Sequence, residues 1–189
     1  MNVGLLTSVR GQAKFGKYYQ AILSHLEHDG HEVVHNLALT EAQLAPMSYP
    51  ERETLFIEFY KKLLECEVII AECSMQSLQV GYGLSFLRAQ GKAIIALYLK
   101  GEESELGAIK DLFSAVENVA IYEYEDGEVA STLDEAIAYM APHLDKRFTI
   151  IFPAQLLARV EDASRKKKLP KAVYIRQLIE KNLTVESAS

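Results

Sequence analysis

Glu67-Val68-Ile69-Ile70-Ala71-Glu72, then Cys73-Ser74-Met75-Gln76-Ser77, then Leu78-Gln79-Val80-Gly81-Tyr82-Gly83, reads as a strand, a short polar loop and the start of a helix. The first segment is apolar through its middle without polar alternation, as in a central parallel strand covered on both faces. Its neighbours follow the same pattern. Residues 3–7 read as a buried strand ending in Ser8-Val9-Arg10-Gly11, and residues 31–35, 93–98 and 119–124 as three more. Between them, helices are expected over about 15–27, with Tyr18, Ile22 and Leu26 on one face, and over 51–66, with Leu55, Phe59, Leu63 and either Phe56 or Leu64 inward. Two more are expected over 78–90 and 129–144, while 36–49 read as irregular, with Pro46 and Pro50 as breakers. Strands alternating with helices predict an α/β fold with a doubly wound, five-stranded parallel sheet, flavodoxin- or Rossmann-like, over residues 1–144.

The 189 residues leave room for one such domain and a small appendage. A composition of 49% hydrophobic and 24% charged residues can bury a core. No apolar run approaches the roughly 18 residues of a membrane span, and the first residues carry no signal-peptide pattern, so a cytoplasmic location and no membrane partner are expected. Cys66 and Cys73 lack CxxC spacing and nearby histidines and read as reduced thiols. None of the five histidines falls in a metal-ligand pattern, with His25 and His28 on a solvated helix face, so neither a metal nor a cofactor is expected.

The net charge of −6 hides a division. Residues 1–145 carry 10 Lys/Arg against 22 Asp/Glu, whereas residues 146–183 carry 10 against 3. A basic segment after an acidic domain points to an anionic partner for the tail, or else to a short amphipathic helix that is basic by chance.

In a doubly wound sheet, ligands lie outside the carboxyl ends of the strands, so the loops at 8–11 and 72–83 should face one crevice. Ser8-Val9-Arg10-Gly11 offers helix-start amides, a hydroxyl, a guanidinium fork and a glycine that allows close approach, which together suit a phosphate. The plainer alternative is a capped turn with a surface arginine.

The segment 71–83 resembles the loop of nucleoside 2-deoxyribosyltransferases and 2′-deoxynucleoside 5′-monophosphate N-glycosidases. The match is carried by Ala71, Glu72, Ser74, Ser77, Leu78, Val80, Gly81 and Tyr82. Ser8-Val9-Arg10-Gly11 is similar to that family's phosphate loop, and Tyr124-Glu125-Asp126-Gly127-Glu128-Val129 to a late segment of it. The resemblance implies that Ser8, Arg10, Gly11, Ser77 and Gly81 hold a 5′-phosphate or the sugar and that Tyr82 lines the pocket. It also implies losses. The glutamate that attacks the anomeric carbon falls on Gly83, an aspartate that orients the attack on Phe59, and a serine lent by the partner subunit on Gly107. The loop's proline and one glycine become Gln76 and Gln79. Displacement at an anomeric carbon needs a carboxylate within about 3–3.5 Å, which leaves Glu72 and Glu58 as substitutes. Glu72 already has a counterpart in the family, so a sugar or structural contact is the competing role.

From residue 146 the pattern changes. Arg147-Phe148-Thr149-Ile150-Ile151-Phe152 alternates with period two and Pro153 ends it. A helix with Leu156, Leu157, Val160 and Ala163 follows, then a turn at Leu169-Pro170 and a helix with Val173, Ile175, Leu178, Ile179 and Leu183. One strand and two helices cannot bury a core alone, which predicts a homodimer through residues 146–183. The segment resembles the ribbon-helix-helix DNA-binding module, which implies that Arg147, Thr149 and Ile151 face double-stranded DNA and Lys171 meets phosphate. Ile151 replaces a usually polar residue and offers only an apolar contact. Residues 184–189 read as a disordered tail.

The reading that results is a ligand-responsive regulator: a non-catalytic nucleotide- or nucleoside-binding domain coupled to a DNA-binding dimer. Its rival is a nucleotide N-glycosidase or deoxyribosyltransferase with a relocated carboxylate, in which the tail only dimerises.

Overall fold

Aliphatic and β-branched residues dominate 2–6, 68–72 and 93–99. The structure, a computed structural model describing residues 1–102, 118–144 and 151–186, pairs these segments side by side. The strands are β1 (Asn2–Leu6), β2 (Glu32–His35), β3 (Val68–Glu72), β4 (Ala93–Leu99) and β5 (Val119–Tyr124). All four pairings are parallel, in the order β2-β1-β3-β4-β5, with Leu5 beside both His35 and Ile70, and Ile70 beside Ile95. The five-stranded parallel sheet is therefore as expected.

Alternate residues serve opposite layers because side chains along a strand point to opposite faces. Val3, Leu5, Val68, Ile70, Ile95 and Leu97 pack with helices α1 (Gln12–His28) and α5 (Val129–Met140). Leu6, Ile69, Ala71, Ile94 and Ala96 pack with α3 (Tyr49–Leu63) and α4 (Leu78–Ala89). All five residues of β3 are buried, which is why that segment carries no polar alternation.

The boundaries differ most between β2 and α3. A short helix α2 (Glu41–Leu44) interrupts the stretch expected to be irregular. Pro50 does not break structure: it sits in the first turn of α3, where its missing N–H leaves no helical bond unmade. Tyr60, absent from the expected inward face of α3, is buried, while Leu55, Phe56 and Leu64 are only half-buried. Helix α5 ends at Met140 rather than 144 and passes into a 3-10 turn, Ala141–His143, containing Pro142.

Residues 147–189 form a separate compact unit. It contains α6 (Ala154–Lys166) and α7 (Lys171–Glu186). Arg147 and Thr149, expected on an outward strand face, lie outside the described residues, and Ile151–Pro153 form neither helix nor strand. No Gly or Pro follows Lys171 to stop α7, which runs through Glu186. Among the described residues, no helix is long and apolar enough to cross a membrane.

Candidate functional site

The strand order reverses direction between β1 and β3, the position at which doubly wound sheets open a crevice at the carboxyl ends of their strands. Two loops meet there. Leaving β1, Thr7 is held by Asn36 beyond β2, whose Oδ1 accepts from the Thr7 amide at 3.1 Å and from its hydroxyl at 3.0 Å. The chain then turns through Ser8–Gly11, with the Ser8 hydroxyl accepting the Gly11 amide at 3.2 Å. Gly11 is required by crowding: a Cβ there would lie 2.2 Å from the Tyr19 hydroxyl and 3.0 Å from Cβ of Met75 in the second loop.

The second loop leaves β3 and ends at Ser77, whose hydroxyl caps α4 by accepting the Val80 amide at 3.4 Å. Arg10, Ser77 and Tyr82 line one cleft of about 930 Å³ with Glu41, Tyr49, Arg52, Glu53, Phe56, Tyr60 and Gln79. The two loops therefore do face one crevice, as expected from their places in the sheet. Ser8 is fully buried and contributes its turn rather than its hydroxyl to the cleft wall. Gly11 and Gly81 are not in the lining either. Nothing lies within 4 Å of a Cβ built on Gly81, so the backbone there is open to close approach.

Charge in the cleft is balanced. Arg10 Nε lies 3.6 Å from Glu41 Oε1, with both side chains mostly exposed, a pairing of little strength that an anionic ligand can displace. Arg52 is committed elsewhere: Nε donates to the Met47 carbonyl at 3.0 Å and an NH2 nitrogen to the Ala45 carbonyl at 3.1 Å. It thereby holds the α2–α3 connection as the cleft's far wall.

The carboxylate positions are distinctive. Gly83 is buried, and a Cβ on it would come within 2.8 Å of Tyr60 Cε1 and 3.0 Å of Leu6 Cδ2. Tyr60 donates its hydroxyl to the Gln79 carbonyl at 2.9 Å and packs against Phe56, Phe59, Tyr82 and Phe86, so its ring is firmly placed. Glu72 is fully buried and outside the cleft lining. Its Oε1 accepts from the Ser74 amide at 3.2 Å, the Ser74 hydroxyl and the Tyr124 hydroxyl at 2.9 Å. Burial pushes its pKa above the ordinary carboxylate range despite these donors. Phe59 is buried, Glu58 is exposed and neither lines the cleft, while Gly107 falls outside the described residues.

Glu41 and Glu53, not Glu72 and Glu58, are thus the carboxylates in the cleft. The sequence held a signal for this wall in two capping boxes, Thr40 with Gln43 and Ser48 with Glu51, which mark the helix starts that shape it.

Away from the cleft, Cys66 and Cys73 are free and buried, and burial raises the Cys66 thiol to about 11. His25, expected on a solvated face, is instead only 20% exposed at its side chain. Its Nε2 lies 2.7 Å from Asp134 and 3.4 Å from Asp29, which ties α1 to α5. In the second unit, Lys171 pairs with Glu161 at 2.7 Å.

No family model matches the chain. A 5-hydroxymethyl-dUMP N-hydrolase of Rattus norvegicus is 27% identical over 130 residues, 67% of this chain and 78% of that protein. A Trichoplax adhaerens protein provisionally named 2′-deoxynucleoside 5′-phosphate N-hydrolase 1 is 29% identical over 132 residues, 68% of this chain and 87% of its own length. Among solved structures, the CMP N-glycosidase BcmB of Clostridium botulinum superposes with a TM-score of 0.50 at 25% identity, covering 71% of this chain and 99% of that one.

Proposed function

We propose that the α/β unit binds a nucleoside 5′-monophosphate in this cleft, with the phosphate at Arg10 beside the capped start of α4. The observation that carries the reading is the meeting of Arg10 and Ser77, from the loops after β1 and β3, in one cleft at the switch point of the sheet. A guanidinium and a helix N-terminus together suit a phosphate. Relatives named for acting on nucleotides support the same ligand class.

A second reading, hydrolysis of the N-glycosidic bond, has the support of those relatives' names, which favour it over a regulator. Its carboxylate would be Glu41 or Glu53, because Glu72 is sealed from the cleft and position 83 has no side chain. Such a carboxylate would take a proton from water as the water attacks the anomeric carbon and the base departs. Chromatography for free base, after incubation with ribo- and deoxynucleoside monophosphates, separates the readings. Base released by the wild type and lost in Glu41→Gln or Glu53→Gln makes the protein a hydrolase; no release leaves binding as the function.

For the second unit, dimerisation through residues 146–183 and DNA contact through Arg147, Thr149, Ile151 and Lys171 remain proposals, supported by the basic charge and the exposed apolar residues of α6 and α7. Duplex affinity that falls with rising salt is the expected result, and absence of binding at low salt would remove the DNA half.

A further inference from the structure

Resting on the nucleotide reading above, we infer that Tyr82, Phe56 and Gln79 form a nucleobase subsite, made possible by the glycine at position 83. With no Cβ at Gly83, the Tyr60 ring occupies space that any longer side chain would contest at 2.8 Å. From there it anchors an aromatic layer: its centroid lies 5.7 Å from Tyr82, 6.1 Å from Phe86 and 6.5 Å from Phe56. Tyr82 in turn lies nearly parallel to Phe86, at 9° and 6.3 Å.

The layer reaches the cleft through Phe56, Tyr60 and Tyr82, and Tyr82 is 58% exposed although its neighbours fix its ring. An aromatic side chain held still and left open is a stacking surface, since every base presents a π-face. A hydrogen-bonding group adjoins it. Gln79 lines the cleft, and its amide nitrogen is buried without a partner, a costly state that an acceptor on a base edge would relieve. With Arg10 in the same cleft, the arrangement suits an intact nucleotide better than a sugar phosphate.

The test is calorimetric titration of the full-length protein with cytidine and adenosine 5′-monophosphates and with ribose 5-phosphate. The wild type is expected to bind at least one nucleotide about fivefold or more tightly than ribose 5-phosphate, and Tyr82→Ala to narrow that gap below about twofold. Equal affinity for nucleotide and ribose 5-phosphate in the wild type would overturn the subsite while leaving the phosphate site standing. A gap that persists in Tyr82→Ala would also overturn it. Binding of none of the three ligands would overturn the nucleotide reading and the subsite together.

Discussion

Glu72 and Gly83 lie eleven positions apart, and neither places a carboxylate in the cleft. Burial raises the pKa of Glu72, so the contribution of its carboxyl to stability is full below the ordinary glutamate value of about 4.5 and is lost as pH rises through its raised folded value. Glu72→Gln is neutral at every pH. Its stability deficit against the wild type, measured by urea denaturation, should therefore shrink as pH rises from 4 to 8; a deficit that grew would contradict the assignment. At position 83, Gly83→Glu drives a side chain into Tyr60 and Leu6, and destabilisation of about 1–3 kcal/mol is expected from the same measurement. That position 83 holds a glycine where the resembling family has a carboxylate is an expectation that rests on the alignment of Val80-Gly81-Tyr82. What replaced it was not legible. Tyr60 comes from another helix, and its encounter with Gly83 depends on how α3 packs against α4.

At the scale of elements, the strands were the easiest part to read, because burial on both faces leaves a composition that little else produces. The α2–α3 wall was harder to read. Its helix starts are set by Thr40 and Ser48, while Pro46 and Pro50 had pointed to irregular chain, although proline is well tolerated in a first turn. Glu41, Arg52 and Glu53, part of the cleft's charged wall, were missed with it. The end of the cleft proposed for the phosphate depends on a simpler device, the cap at Ser77. Ser77→Ala should lower stability by about 1 kcal/mol through loss of the bond to the Val80 amide, seen as an earlier denaturation midpoint at unchanged slope. A variant as stable as the wild type would show that the cap does not hold α4.

At the scale of the molecule, two units carry opposite charge, a division visible in composition before any element is placed. Among its described residues the second unit leaves Ile179 54% and Leu156 42% exposed and buries few side chains, more apolar surface than a 43-residue unit can spare. Light scattering should give the mass of two chains, and Ile179→Asp should shift it toward one; a monomeric wild type would remove the dimer. The first unit is proposed to hold a nucleoside monophosphate at Arg10 of its cleft. Thermal unfolding of the full-length protein with and without nucleotide tests it most directly. Stabilisation approaching about 2.7 kcal/mol at a hundredfold excess over the dissociation constant is expected, and its loss in Arg10→Ala. An unchanged transition at millimolar concentrations of every nucleoside monophosphate tried, or an equal shift in Arg10→Ala, would contradict it.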